Sequence, residues 1–284
     1  MHQAWKQTIR TAIGTATVLT MTGCDEGGAG VVLRFEARVG ERAFACGESY
    51  DTVGENAQSV EFSDFRLYIS DIVLIDASGR EVPAPLVPDG RWQGTDVALL
   101  DFEDQSGACT NGTPELRTEV ETTVPPGEWT GVRFTLGVPF ALNHGDTAVA
   151  PSPLNLSALF WNWQAGYKFL RLDARVNGER GFNTHVGSIG CSMDVGTATV
   201  GTCERPNRAR VALDGFDPAM GTIVLDAASL FEGIDLSADA GGAPGCMSSP
   251  DDPECRPIFE ALGLSVDDAE TRPGQRFATG EAAP

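Results

Sequence analysis

Apolar and charged residues alternate along Val32-Leu33-Arg34-Phe35-Glu36-Ala37-Arg38-Val39. A period of two puts one set of side chains on a buried face and the other in solvent, as in a half-buried strand. Further runs of strand character occupy residues 65–76, 96–102, 131–136, 167–176, 182–186, 208–213 and 222–225. Pro and Gly clusters interrupt the chain at 83–90, at Pro125-Pro126-Gly127 and at 151–153, where a fixed φ or a missing Cβ favours turns. Helical patterns are brief: 157–164, 227–231 and 257–262. Many short strands joined by loops, with no internal repeat, predict an all-β fold: an antiparallel sandwich or barrel-like single domain with short helical turns.

The ends depart from this pattern. Lys6 and Arg10 flank the start of an apolar or small stretch that closes on Gly23-Cys24. It is too short to span a bilayer and has the layout of a secretory signal. A small residue directly before Cys, after Thr20-Met21-Thr22, resembles the lipobox of bacterial lipoproteins, with Met21 where Leu is usual. This predicts a leader over 1–23, lipidation at Cys24 and a tether without a membrane span; an ordinary signal peptide with a nearby Cys is the alternative. Residues 24–30 would be the tether and 31–266 the folded domain. Within it, 235–253 favours an irregular loop whose Asp251-Asp252 read as solvated charges. Residues 267–284 have little to pack and predict a mobile C-terminal tail.

Removing the leader takes Lys6 and Arg10 but no acid, so 18 basic residues face 40 acidic ones and the formal charge is −22. Such a surface repels nucleic acid and anionic lipid. Without Cys24, six cysteines remain: Cys46, Cys109, Cys191, Cys203, Cys246 and Cys255. In an oxidising compartment an even set reads as disulfides, with fifteen possible connectivities. Pairing Cys191 with Cys203 and Cys246 with Cys255 would close short loops and leave Cys46 and Cys109 to join distant segments, but the choice stays open. No C-x-x-C or Cys/His finger spacing supports thiolate metal binding.

Familiar catalytic signatures are absent: no Gly-rich phosphate loop, no H-E-x-x-H and no G-x-S-x-G elbow. What remains is a small constellation. His144 and His185 are the only histidines beyond the leader, and Trp161-Asn162-Trp163 lies between them. Imidazole suits copper, zinc, iron and nickel, and ligand type alone does not choose among them. Asn143, Asp146 and Asn183 could orient the imidazole N–H groups. Met193 and Met247 adjoin cysteines and read as packing; a purely structural role for the Trp pair and the histidines is the plain alternative.

Several segments in order resemble one family. Gly137-Val138-Pro139-Phe140 with Asn143-His144, Pro153-Leu154-Asn155-Leu156, Trp161 through Phe169, His185-Val186-Gly187-Ser188, Cys191, Cys203, Cys246-Met247-Ser248 and Cys255 resemble MbnP-like proteins, also called metallo-mystery-pair four-Cys proteins. The resemblance runs from about Val31 to Leu264. The four family cysteines would be Cys191, Cys203, Cys246 and Cys255, with Cys46 and Cys109 an extra pair. It implies a periplasmic or cell-surface copper protein, with His144 and His185 as copper ligands. It also implies a partner, a di-haem cytochrome c peroxidase-like enzyme of MauG type, that oxidises a Trp to kynurenine. Trp163 is the favoured candidate and Trp161 the second. The chain would then be a substrate of that enzyme and not itself an enzyme, serving copper handling or acquisition. A structural or adhesive β-sandwich lipoprotein without a metal site is the alternative, and a hydrolase lacks any recognisable nucleophile or acid/base pair.

Overall fold

The computed structural model describes Met1 and residues 29–194, 196–197, 199–267 and 274–283. The leader beyond Met1, Cys24 and most of the tether therefore lie outside the described residues. Among those described, no helix is long and apolar enough to cross a membrane.

Two curled sheets enclose one core. The smaller has β1 (Ala29–Val39) at its centre. It pairs in parallel with β16 (Thr222–Asp226) and antiparallel with β7 (Glu119–Val124) and the short β2 (Arg42–Ala43); β18 (Ala278–Glu281) adds to β16. Val31, Leu33, Phe35, Ala37 and Val39 are buried, so the alternation in the sequence marks the inner face of β1.

The larger sheet is organised by β4 (Gln58–Asp76), 19 residues long. Its order is β15 (Ala209–Asp214), β8 (Trp129–Leu136), β4, β11 (Leu170–Val176), β12 (Arg180–Val186) and β17 (Gly245–Cys246). β3 (Ser49–Val53), β5 (Glu81–Pro83) and β6 (Val97–Asp101) also pair with β4, within 58–61, 73–75 and 66–70. A strand of that length cannot serve so many partners straight. The register shifts between Ser70 and Val73, where Asp71 takes φ 51°, and this bulge lets β4 curl from one set of neighbours to the next. Phe35 of the smaller sheet meets Phe134 of the larger edge-on at 5.8 Å, and Phe182 meets Phe231 at 5.5 Å; such contacts fill the space between the layers.

Two hairpins stand apart from the sheets, β9 (Phe160–Asn162) with β10 (Gly166–Tyr167) and β13 (Ile189–Asp194) with β14 (Thr199–Arg205). Two short helices complete the chain, α1 (Phe140–Asn143) and α2 (Cys255–Ala261). The cysteines pair Cys46–Cys109, Cys191–Cys203 and Cys246–Cys255.

Of the one or two helical turns expected within 157–164, a single 3-10 turn (Ser157–Leu159) forms and gives way to β9, where Phe160 packs against Tyr167 across the hairpin at 4.9 Å. Two expectations are corrected. Part of the expected mobile tail is ordered, since Ala278–Glu281 pair with Thr222–Leu225 and Phe277 inserts beside Phe65. Asp252 is buried and not a solvated loop charge.

Cys46–Cys109 closes a loop with a sequence separation of 63, which in the chain-entropy account is worth about 4 kcal/mol. Replacing both cysteines by Ser should lower the thermal midpoint by roughly 10 °C, measured by calorimetry, with far-UV circular dichroism at 25 °C unchanged.

Candidate functional site

The larger sheet carries a charged patch on three adjacent strands. Register places Arg66 of β4, Arg171 of β11 and His185 of β12 in one row, and Asp64, Asp173 and Asn183 in the next. Groups of like charge thus lie straight across from each other, and opposite charges lie on the diagonal and along each strand. Arg66 grips Asp64, Arg171 reaches Asp173 at 2.6 Å and Asp64 at 3.2 Å, and His185 Nε2 meets Asp173 Oδ1 at 2.6 Å. Asp64, Arg66, Asp173 and His185 are all buried.

This patch fixes the state of His185. A carboxylate oxygen can only accept, so Nε2 carries the hydrogen and donates to Asp173. In the neutral ring Nδ1 is then a bare lone pair. Burial lowers the His185 pKa, Asp173 raises it, and Lys168 and Arg171 lower it further. Burial raises the Asp173 pKa, but its bond to His185 and the charges of His185 and Arg171 bring it below the usual carboxylate range. His185 Nδ1 is buried and has no hydrogen-bond partner among the described residues. A buried imidazole lone pair without a donor is an orphan, unless a metal ion takes it.

His144 arrives from another direction. The chain leaves β8 at Gly137, turns at Pro139 and forms α1, with His144 at its C-terminal end. Its Nδ1 lies 3.0 Å from the Trp163 carbonyl oxygen, again an acceptor only, so Nδ1 carries the hydrogen and Nε2 is the lone pair. Nε2 has Asn143 Nδ2 at 3.3 Å and Cys203 Sγ at 3.8 Å. Burial lowers its pKa, partly offset by backbone oxygens of Trp163 and Gln164. Phe140 packs edge-on to the ring at 5.0 Å.

The segments bearing the two histidines are stitched together. Asn143 accepts from the Tyr167 N–H at 2.9 Å and donates to Ser188 Oγ at 3.4 Å. Ser248 Oγ donates to the His185 carbonyl at 2.9 Å and accepts from the Gly187 N–H at 2.8 Å. Two glycines allow the approach. A Cβ at Gly166 would lie 2.4 Å from Asn143 Nδ2, and one at Gly187 would lie 2.5 Å from the Tyr167 oxygen and 2.7 Å from the Trp161 ring.

The two tryptophans differ in setting. Trp161 is half-buried, with its ring centroid 6.4 Å from that of His185. Trp163 lies in the β9–β10 turn, which Asn162 closes by accepting from the Gln164 and Ala165 N–H groups; it is 42% exposed. Of the candidate orienting residues, Asn143 touches His144. Asn183 shares the charged patch with His185. The Asp146 carboxylate accepts from the Ala148 N–H at 2.9 Å, and no hydrogen bond joins it to either imidazole among the described residues. Asp173 and Ser248, which hold His185, were not among the site residues expected from sequence. The opposed i, i+2 charges of Asp64-Phe65-Arg66 and Arg171-Leu172-Asp173 were the available signal.

His144, Cys191 and Cys203 bring donor atoms within 4.8 Å of one another, a tempting metal trio. The two cysteines are joined to each other, so neither offers a thiolate, and only the imidazole remains as a strong ligand. The imidazole lone pairs left for a metal ion are His185 Nδ1, which has no partner among the described residues, and His144 Nε2, which Asn143 Nδ2 approaches at 3.3 Å.

The MbnP family profile matches residues 28–248. The chain belongs to the MbnP family. MbnP from Methylosinus trichosporium has a solved structure that superposes with a TM-score of 0.80, at 33% identity, over 90% of this chain and 99% of that one. A search of curated proteins finds no match. Family membership agrees with a metal-binding role.

Replacing Asp173 by Asn leaves Arg171 and His185 without their shared carboxylate. Breaking such a buried set costs about 3 kcal/mol, so Asp173→Asn should unfold at markedly lower urea with an unchanged denaturant slope.

Proposed function

We propose that this MbnP family member is an exported copper-handling protein that binds one copper ion through His144 Nε2 and His185 Nδ1. The observation that carries this is the matched state of the two rings: each gives its hydrogen to an acceptor-only oxygen, at Trp163 and at Asp173, and so presents one lone pair. Family membership supports a methanobactin-related role in copper handling. Two neutral imidazoles suit Cu(I), which accepts low coordination, and an added water or carbonyl suits Cu(II). The Asp173 carboxylate makes His185 a better donor by drawing on its N–H. The described thioethers are secondary: Met193 is exposed on the disulfide hairpin.

The protein is lipid-anchored through Cys24 and held at a bacterial membrane, in the periplasm or at the cell surface. Its partner is a di-haem peroxidase-like enzyme that oxidises Trp163 to kynurenine. The exposed indole is accessible to an oxidant bound outside the molecule, and Trp161, tucked beside His185, is the second candidate. The oxidation opens the indole across its C2–C3 bond with oxygen and oxidising equivalents supplied by peroxide through the haem enzyme. Cleavage leaves C2 as a formyl group on the nitrogen, and water hydrolyses that amide to release formate, leaving an aryl ketone and an aromatic amine. Because the Trp163 carbonyl holds His144, the altered ring would stand on the same turn as a copper ligand. The protein itself is the substrate in this step, not the catalyst.

Copper loading of the mature protein followed by desalting should leave about one copper per chain. His144→Ala and His185→Ala should each lower the affinity by more than a hundredfold with the fold retained; unchanged affinity in both would exclude the pair as ligands. Coexpression with the di-haem partner should change the mass of the peptide containing Trp161 and Trp163. Tandem mass spectrometry assigning the change to neither Trp would exclude the modification.

A further inference from the structure

The segment before α2 contains a second group of inward-facing polar atoms, far in sequence from the histidines. Asp252 and Glu254 are only 6% and 3% exposed, although Asp251-Asp252-Pro253-Glu254 has the composition of a surface loop. Glu254 Oε1 accepts from the Ala240 N–H at 2.9 Å, and Asp252 Oδ1 accepts from the Glu254 N–H at 3.2 Å. The remaining Glu254 oxygen, Oε2, is buried with no hydrogen-bond partner. The two carboxyl groups lie within hydrogen-bonding reach of each other, and Asp239 adds further negative charge. No ion pair among the described residues reaches either group; Arg256, two positions on, pairs with Asp267 at 3.4 Å. Burial, reinforced by the Glu254 carboxylate, pushes Asp252 up to about 7.

Two other buried carboxylates are compensated by cations. Asp64 and Asp173 are met by Arg66, Arg171 and His185. No ion pair among the described residues meets Asp252 or Glu254, a costly state when both are charged. The surrounding loop closes tightly on them. The Cys246–Cys255 disulfide joins its two sides, and a Cβ at Gly242 would stand 3.3 Å from Asp252 Oδ2.

We propose that Asp252 and Glu254 form an oxygen-only site for calcium. The donor set is hard: two carboxylates, with both nearby cysteines committed to a disulfide. Such a set selects against copper, and its irregular backbone suits the flexible coordination of calcium better than the strict octahedron of magnesium. The site shares no residue with the histidine pair, so it stands or falls independently of copper.

The test uses the full mature protein, stripped with a chelator and then dialysed to equilibrium against calcium chloride or magnesium chloride. Binding of about one calcium per chain is expected, in the submillimolar to millimolar range of exported modules. Saturating calcium should raise the thermal midpoint by roughly 5 °C. The isosteric variants Asp252→Asn and Glu254→Gln should each lose at least tenfold in affinity and most of the thermal rise, whereas Asp251→Asn, at an exposed neighbour, should retain both. Circular dichroism establishes that each variant is folded, and either one alone suffices. Absence of calcium binding by the wild-type protein would overturn the proposal and leave a carboxyl pair sharing a proton. An equal rise with magnesium in wild type and variants, the mark of ionic screening, would overturn it as well.

Discussion

The hydrogen bond between Asp173 and His185 joins the architecture of the larger sheet to the chemistry of its face. Asp173 can accept it because Arg171 holds the other carboxylate oxygen, and Arg171 is in turn braced by Asp64 and, through it, Arg66. These contacts follow from strand register: a slip of one residue in β11 would turn Arg171 and Asp173 to the opposite face and dissolve the whole set. Buried ion networks of this kind add little net stability. Here the network sets a direction and a protonation state, leaving His185 with a single lone pair. His144 reaches the complementary state by a cheaper device, a backbone carbonyl in a hairpin turn.

Much of the scaffold was legible in the sequence. The alternation over Val32–Val39 and the polar–apolar pattern around Phe182–Val186 depend on a local period, and local periods survive folding. The Pro and Gly clusters likewise fell between strands. The hairpin of Trp161 was less legible, since Leu159-Phe160-Trp161 is apolar enough for either a helix or a strand, and only the distant Tyr167 decides. β18 was missed because its four residues gain order from β16 and not from their own composition.

The site divides in the same way. Two histidines in a His-poor chain stood out by rarity and by family resemblance. Asp173 did not, because Leu170-Arg171-Leu172-Asp173-Ala174 has the pattern of any strand with one wet face; the covering of that face comes from the 3-10 turn near Ala158, whose carbonyl accepts from Arg171 at 3.1 Å. Asp252 was misjudged for a related reason, since a run of acids looks solvated until a disulfide folds it inward. Burial of a polar residue depends on what lies above it, and strand periodicity does not record that.

X-ray absorption at the copper edge of the loaded protein tests the central claim most directly. The account requires a first shell of nitrogen with the outer-shell pattern of two imidazoles and no sulfur scatterer, because Cys191 and Cys203 are bonded to each other. A sulfur shell, or a spectrum with only one imidazole, would contradict it and move the metal away from the pair formed by His144 Nε2 and His185 Nδ1.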